Sequence, residues 1–404
     1  MAVLFATLLL VGLIWANLFY VGLNPTQGTF LPRWLGTRLF MVKGLSPYSQ
    51  EVTTAIQSAQ QAGGQSPAPG ASFFLYPFYT FVAYAPFALT ANQAAARVAW
   101  MTILEIASFA TLVLSINLCR WRVSVWIMVL LFIFTIAWYY GVLPIAEGDL
   151  SVLAALCVVI ALIAIREGQD PLAGFLLALA MGKPVPVLLM TLFILIWAVS
   201  HQRWTLIWGF LGSLGLILAA ASLLIPDWVL QNIRQVIQYI RLPLANTPGT
   251  LVAYWLPGIG KQLGWLLIIV IGIVLVVEWI QALRKDFRWF YWTACLTLAV
   301  TPLVGLPTSL NNFIVIFPAL ILVLATWDER WGVAGRVMVL VSMAILSVGA
   351  WWLVIAGNQA GMPPDKNPWI FFLLPVFMII GTYWVRWWAI RPPRLPVVEM
   401  AAQL

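Results

Sequence analysis

The chain has 404 residues, a formal net charge of +8, and a composition that is 63% hydrophobic and only 8% charged. A water-soluble domain carries about 25% charged residues, so that class is excluded, and apolar runs of about 20 residues recur from end to end as membrane-crossing helices do. The basic residues sit at the ends of those runs and form no patch for nucleic acid, a distribution that membrane topology explains.

In chain order, the first predicted span covers residues 3–22. Its Val3–Gly22 run is too long for a signal-peptide core and no small-residue cleavage site follows, so it is expected to stay in place. A long loop, 23–93, comes next. Within it "LPRWLGTRLFMVK" puts Leu31, Leu35, Leu39 and Val42 on one helical face and Arg33, Thr37 and Lys43 elsewhere. That pattern predicts an amphipathic helix in the membrane interface. "SPYSQEVTTAIQSAQQAGG" repeats it with Val52, Ala55, Ile56 and Ala59, and Ser49 is placed to cap the helix. "QSPAPGAS" reads as a connector, and the aromatic segment "FFLYPFYTFVAYAPFALT", broken by Pro77 and Pro86, as a re-entrant or interfacial piece.

Further spans are predicted at 94–118, 123–141, 150–165, 171–182, 185–200, 204–225, 262–283, 289–305, 310–327, 334–356 and 369–387, about twelve in all. The "GKPVP" break after 182 is either a turn or a helix kink. A second long loop, 226–261, holds "DWVLQNIRQVIQYIRLP", with Val229, Ile233, Val236, Ile237 and Ile240 on one face and Arg234, Gln238 and Arg241 on another, which again predicts an interface helix, here with a basic edge. Of the 21 Lys and Arg, 12 fall on the side opposite these loops, at Arg120, Arg122, Arg166, Arg203, Arg284, Lys285, Arg288, Arg330, Arg336, Arg386, Arg391 and Arg394. The positive-inside rule makes that side cytoplasmic, together with both termini. The expected fold is all-α and polytopic, with an N-terminal module at 1–225 and a C-terminal one at 226–404.

Topology then sorts the reactive groups. On the loop side the carboxylates are Glu51, Glu147, Asp149, Asp227 and Asp365, while Glu167, Asp170, Asp286, Asp328, Glu329 and Glu399 fall on the other side. Glu278 lies in a span near that second side, and His201, the only histidine, lies in a short turn on it. A general base among the outer loops is therefore sought among carboxylates. In "PIAEGDLSV" Asp149 opens an apolar run, where it can cap the helix or take a proton from a substrate, and the two roles are compatible. Glu147 is placed in the loop with its side chain free. Glu51 reads as a first-turn acid favoured by the helix dipole or as a further base candidate.

Lys183 in "MGKPVP" is either a snorkelling lysine or the cation for a phosphate, a role Arg234 and Arg241 can share. Glu105, in mid-span, is a functional candidate by position or a group hydrogen-bonded to a neighbouring helix. Arg97, eight residues before it, is too far for a direct pair. Tyr48, Tyr76, Tyr79 and Trp255 can stack on a sugar, although most aromatics here are belt and packing residues. Cys119, Cys157 and Cys295 all lie in or beside apolar runs, so neither a disulfide framework nor a thiolate metal site is expected. No metal site is proposed from the scattered acids. There is no Walker loop and no dinucleotide fingerprint, so no cofactor is expected and a donor must arrive within the membrane.

Three motifs, in order, resemble the polyprenyl-phosphate-sugar glycosyltransferases of the GT-C fold, closest to glycosyltransferase family 87. "GTFLPRWLGTRLFMVKGLSPYS" is similar to the family's first loop, with its Gly-x-x-Pro-Tyr turn at Gly44, Pro47 and Tyr48. "YPFYTFVAYAPFAL" resembles its Tyr-Pro-Pro segment. "EGDLSVL…PLAGFLLALAMGKPVP" resembles a Gly-Gln start, an Ala-Gly helix and a Lys-Pro end. The likeness covers about the first 200 residues. It implies a lipid-linked sugar donor with its phosphate near Lys183, Arg234 or Arg241, and a carboxylate that deprotonates an acceptor hydroxyl for inverting attack at the anomeric carbon.

The sequence departs from that pattern at two places. The family's first-loop aspartate is Thr29 here, and its Gly-Gln is Gly148-Asp149. Either Asp149, Glu147 or Glu51 supplies the base, or transfer has been lost. Three readings follow: a hexosyltransferase, with mannose the first choice of sugar, at the outer face of the plasma membrane; a non-catalytic GT-C-like subunit bound to a membrane-protein partner; and a lipid or solute transporter, which the large asymmetric loops disfavour.

Overall fold

The computed structural model describes residues 2–25, 28–64, 70–241 and 246–391. Most of the "QSPAPGAS" connector lies outside the described residues, as do Arg394 and Glu399. Every regular element among the described residues is helical. In chain order they are α1 (Ala2–Leu23), α2 (Phe30–Lys43), α3 (Gln50–Ala62), α4 (Phe81–Ala88), α5 (Gln93–Cys119), α6 (Val125–Ala137), α7 (Tyr139–Glu147), α8 (Ser151–Arg166) and α9 (Asp170–Ala180). They continue with α10 (Pro184–Ser200), α11 (Trp204–Leu224), α12 (Trp228–Ile240), α13 (Pro248–Trp255), α14 (Gly260–Ala282), α15 (Phe287–Val300), α16 (Phe317–Ala344), α17 (Ala350–Gln359) and α18 (Pro368–Ala389).

Local chemistry sets many of the boundaries. Ser49 accepts from the Val52 N–H at 3.3 Å and Asn92 from Ala95 at 3.0 Å, as N-cap side chains do. Prolines open α9, α10, α13 and α18, where a missing N–H costs nothing.

Five helical stretches are long and apolar enough to cross a membrane, or six if the bent pair α6–α7 counts as one. Over their apolar windows α11 and α14 are only 17% and 22% buried. Exposed Leu, Ile, Val and Trp on that scale belong against hydrocarbon, and the protein is membrane-embedded. Length and apolarity thus support fewer crossings than the twelve predicted. The physical reason is that α8, α9 and α10 have 16, 11 and 17 residues, fewer than the roughly 20 a single crossing needs. One of the five stretches, Leu310–Gln359, is also not a single rod. Gly332 leaves helical geometry (φ 53°, ψ −119°), and a Cβ on Gly335 would strike the Trp327 backbone. Eight residues of straight helix would separate those points by about 12 Å, so the chain folds back here, and Arg336 reaches Asp328 at 3.3 Å across the turn.

Two ion pairs mark opposite ends of the bundle core. Arg203 pairs with Asp170 and donates to the Ile165 carbonyl at 3.0 Å, which joins the start of α11 to the start of α9 and the end of α8. Lys183 pairs with Asp149 at the other ends of α8 and α9. The break at 182–183 is therefore a full turn, with α9 running up and α10 returning. The largest buried cluster draws Leu112, Val158, Phe193, Phe290, Leu320 and Phe371 together, so both halves of the chain share one core. Gly264 of α14 is pressed on Gly249 of α13, and Gly260 on Ala253, so closely that no Cβ fits, the small-residue contact common between membrane helices. Gly264→Val is expected to overpack this seam at a cost of about 1–3 kcal/mol, read as a lower thermal unfolding midpoint in detergent.

Two carboxylates within the helical spans find partners on neighbouring helices. Asn17 of α1 donates to Glu105 of α5 at 3.0 Å, and Arg386 of α18 meets Glu278 of α14 at 2.8 Å. The amphipathic reading of α2 is corrected in one respect. Its first half is buried on all sides, with Arg33 and Thr37 buried alongside Leu31 and Trp34, and only its last turn is exposed.

Candidate functional site

At the Lys183 end of the core the chain assembles a buried polar cluster from five separate segments. The tight turn "GDL" places it. Gly148 ends α7 at φ 69°, a left-handed conformation that glycine adopts without strain. Its carbonyl accepts from the Trp100 indole at 2.9 Å. A Cβ at Gly148 would come within 2.7 Å of Phe30, so the start of α2 packs directly on this turn.

Asp149 is 2% exposed and both of its carboxylate oxygens are engaged. Oδ1 accepts from the Ser151 N–H at 2.8 Å and the Ser151 hydroxyl at 2.7 Å, and it pairs with Lys183. Oδ2 accepts from the Tyr76 hydroxyl at 2.8 Å. Burial alone would raise this carboxyl, but the charges of Lys183 and Arg33 and the bonds from Lys183 and Ser151 outweigh it and hold the group well below the usual carboxylate range. Burial in turn lowers Lys183, with the Asp149 charge opposing, and burial raises the Tyr76 hydroxyl well above its ordinary value. Asp149 thus serves α8 as a first-turn acceptor and closes an ion pair, with both of its oxygens engaged.

Glu147 is placed differently. It ends α7, is half-buried, and its Oε2 accepts from Asn311 at 2.6 Å. Among the hydrogen bonds of the described residues, Oε1 accepts none. Its backbone carbonyl takes both the N–H (2.8 Å) and the hydroxyl (3.1 Å) of Thr29. Thr29 therefore lies against the segment that carries Glu147, and a Cβ on Gly28 would meet the Glu147 Cα at 2.7 Å.

Arg33 completes the cluster. It donates to the Thr29 carbonyl, and its guanidinium carbon lies 3.7 Å from the Tyr76 ring centroid, a cation–π contact. It forms no ion pair among the described residues, and its Nε is buried without a partner. Asn311 holds the cluster from the C-terminal half, its carbonyl accepting from the Ser151 hydroxyl at 2.7 Å while its side-chain Oδ1 is unpartnered.

Of the groups singled out from sequence, Asp149, Glu147, Lys183 and Tyr76 come together. Glu51 stays exposed in the first turn of α3. Tyr48 is buried, its hydroxyl donating to the Tyr76 carbonyl at 2.7 Å, and Tyr79 lies edge-on to Trp228, so both are packing residues. Arg234 and Arg241 are exposed on α12 and make no ion pair with this cluster among the described residues. The second long loop joins through other side chains: Asn232 donates to the Tyr76 carbonyl at 3.1 Å and Gln235 to the Tyr48 carbonyl at 3.0 Å. Sequence reasoning missed Arg33 and Asn311. Arg33 was visible as the polar residue that breaks the apolar run at the start of α2, whereas nothing local marked Asn311. No His, Cys, Asp or Glu group suited to a metal occurs among the described residues. Comparison with protein-family models, curated proteins and solved structures gave no match.

Proposed function

We propose that the chain is a membrane hexosyltransferase that moves a sugar, mannose first among the candidates, from a polyprenyl-phosphate donor to a lipid or glycan hydroxyl. The observation that carries this reading is the juxtaposition of a buried guanidinium without a direct salt bridge (Arg33), which donates to the Thr29 carbonyl, with Glu147, whose carboxylate keeps one uncommitted oxygen and whose backbone carbonyl accepts from Thr29. Arg33 has no direct salt bridge among the described residues and its Nε is buried without an acceptor, so a donor phosphate would supply the charge-assisted hydrogen bonds that it lacks.

In this scheme the phosphate lies against Arg33 and the acceptor hydroxyl against Glu147. Glu147 takes the hydroxyl proton, the acceptor oxygen bonds to the anomeric carbon, and the bond from that carbon to the phosphate oxygen breaks, releasing polyprenyl phosphate. Exclusion of water protects the donor from hydrolysis. Asp149 and Lys183 act as the mount. The reading carries with it a twelve-crossing GT-C arrangement and a plasma-membrane location with cytoplasmic termini.

The test is transfer from radiolabelled polyprenyl-phosphate mannose or glucose by purified protein in lipid, with a membrane lipid extract as acceptor. Arg33→Lys keeps the charge but loses the planar fork, and loss of one such bond is worth about 1.5–3 kcal/mol. The donor KM is therefore expected to rise about 10–100-fold. A second reading, a non-catalytic subunit, is favoured by Thr29 in the aspartate's place and by the fully engaged Asp149. Folded wild-type protein that transfers from no donor but copurifies with a membrane protein would establish that second reading.

A further inference from the structure

Helix α12 is mounted inside out by the standards of a soluble protein. Its polar side chains face the protein: Gln235 is buried, Asn232 and Gln235 bond the carbonyls of Tyr76 and Tyr48, and Gln231 meets the Ser46 hydroxyl at 2.5 Å. Its large apolar side chains face outward, with Val229, Leu230, Ile233, Ile237 and Ile240 between 42% and 58% exposed. The same apolar surface continues from the end of α11, where Leu223 and Leu224 are exposed. At 100° per residue, Arg234 and Arg241 fall side by side along one border of this apolar face. Both are exposed, and neither makes an ion pair among the described residues.

We infer that α12 is a lipid-docking helix whose apolar face is seated in the bilayer and whose paired arginines bind the phosphates of anionic phospholipid headgroups. Three observations select this occupant: the face adjoins the exposed apolar end of α11, the helix is fixed by its polar side so that the apolar side stays outward, and the basic border has no ion-pair partner among the described residues. An apolar face bordered by Arg or Lys is the pattern of helices that lie in the membrane interface, and each cation near an anionic surface contributes about fivefold in affinity. The inference is independent of the sugar-transfer reading.

The experiment places a nitroxide at Ile237→Cys, and separately at Gln238→Cys, in full-length protein with Cys119, Cys157 and Cys295 replaced by alanine. Vesicles are either phosphatidylcholine alone or phosphatidylcholine mixed with phosphatidylglycerol. At 237, collision with oxygen should exceed collision with a water-soluble nickel complex severalfold, and at 238 the order should reverse. Phosphatidylglycerol should deepen the 237 position, and Arg234→Gln with Arg241→Gln should abolish that response. Free access of nickel to 237 in both vesicles overturns the inference, as does exclusion of both reagents, which would mean that protein covers the face. An equal response to the two lipids overturns the headgroup assignment. In protein with its native cysteines, phosphatidylglycerol should raise the thermal unfolding midpoint over phosphatidylcholine, and the double arginine variant should lose that increment. A variant that keeps it refutes the role of the arginines.

Discussion

Glu147→Gln is expected to lower sugar transfer by about 10²–10⁴-fold, the usual worth of a positioned general base, while donor binding and folding stay near wild type. Glutamine keeps the size of the side chain and can still accept from Asn311, whose Nδ2 meets Oε2 at 2.6 Å, so the local packing is preserved and only the proton acceptor is lost. The measurement is initial rate at saturating donor, beside donor binding to the same preparation. A variant that transfers at the wild-type rate removes Glu147 from the chemistry. Thr29→Asp then becomes informative, because it restores a carboxylate next to the Glu147 segment. Recovery of transfer in the Thr29→Asp, Glu147→Gln double variant would show that the two positions serve one function.

Breaking the Lys183–Asp149 pair from one side is expected to destabilise the protein by about 3–5 kcal/mol, since the surviving charge is left buried. Lys183→Met strands Asp149, which is 2% exposed, and Asp149→Asn strands Lys183, which is 7% exposed. The double variant should recover part of the loss, and a thermodynamic cycle by denaturant or heat in detergent measures the coupling. Additive single losses would refute the pair as a unit. The pH dependence has a definite sign. Asp149 is depressed in the folded state, so its contribution is complete above the unfolded carboxylate range of about 4 and disappears only as pH falls below that range. The titration of Asp149 itself should therefore add no slope to wild-type stability between about pH 5 and 8, and its contribution should shrink as pH falls below about 4.

Much of the architecture was legible because apolar runs and end-charges are local signals. The helix bounds around 94–118, 185–200 and 204–225 needed only hydropathy and a flanking Arg or Pro, and α3 needed only Ser49 and its spacing. The count of crossings was harder, because a run of apolar residues has the same appearance whether it faces lipid or, like α8, is buried among other helices. The site was half legible. Glu147, Asp149 and Lys183 announce themselves as charges in an apolar chain, and their meeting follows from the α8–α9–α10 zigzag. Which acid is free was not legible, since that depends on Ser151, Tyr76 and Lys183 filling the Asp149 oxygens. Arg33 was misread for a similar reason. In sequence it sat on the polar side of an interface helix, whereas in the fold that side turns inward toward Tyr76. Asn311 contacts Glu147 across 164 residues, and no local pattern encodes that distance.

The short central helices have a further consequence. At 1.5 Å per residue, α8 spans about 24 Å and α10 about 26 Å, whereas the 27 residues of α5 reach about 40 Å. A hydrocarbon core is about 30 Å thick, so in the proposed twelve-crossing arrangement, where α8 and α10 each cross from the opposite interface, the polar floor marked by Asp149 and Lys183 would lie below the headgroups of an unperturbed bilayer. The leaflet must thin around it or admit water down to it, and hydrophobic mismatch costs fractions of a kcal/mol per Å. Acyl-chain length in the host membrane thereby becomes a variable acting on the site: short chains bring headgroups down to Arg33 and Glu147, and long chains hold them away.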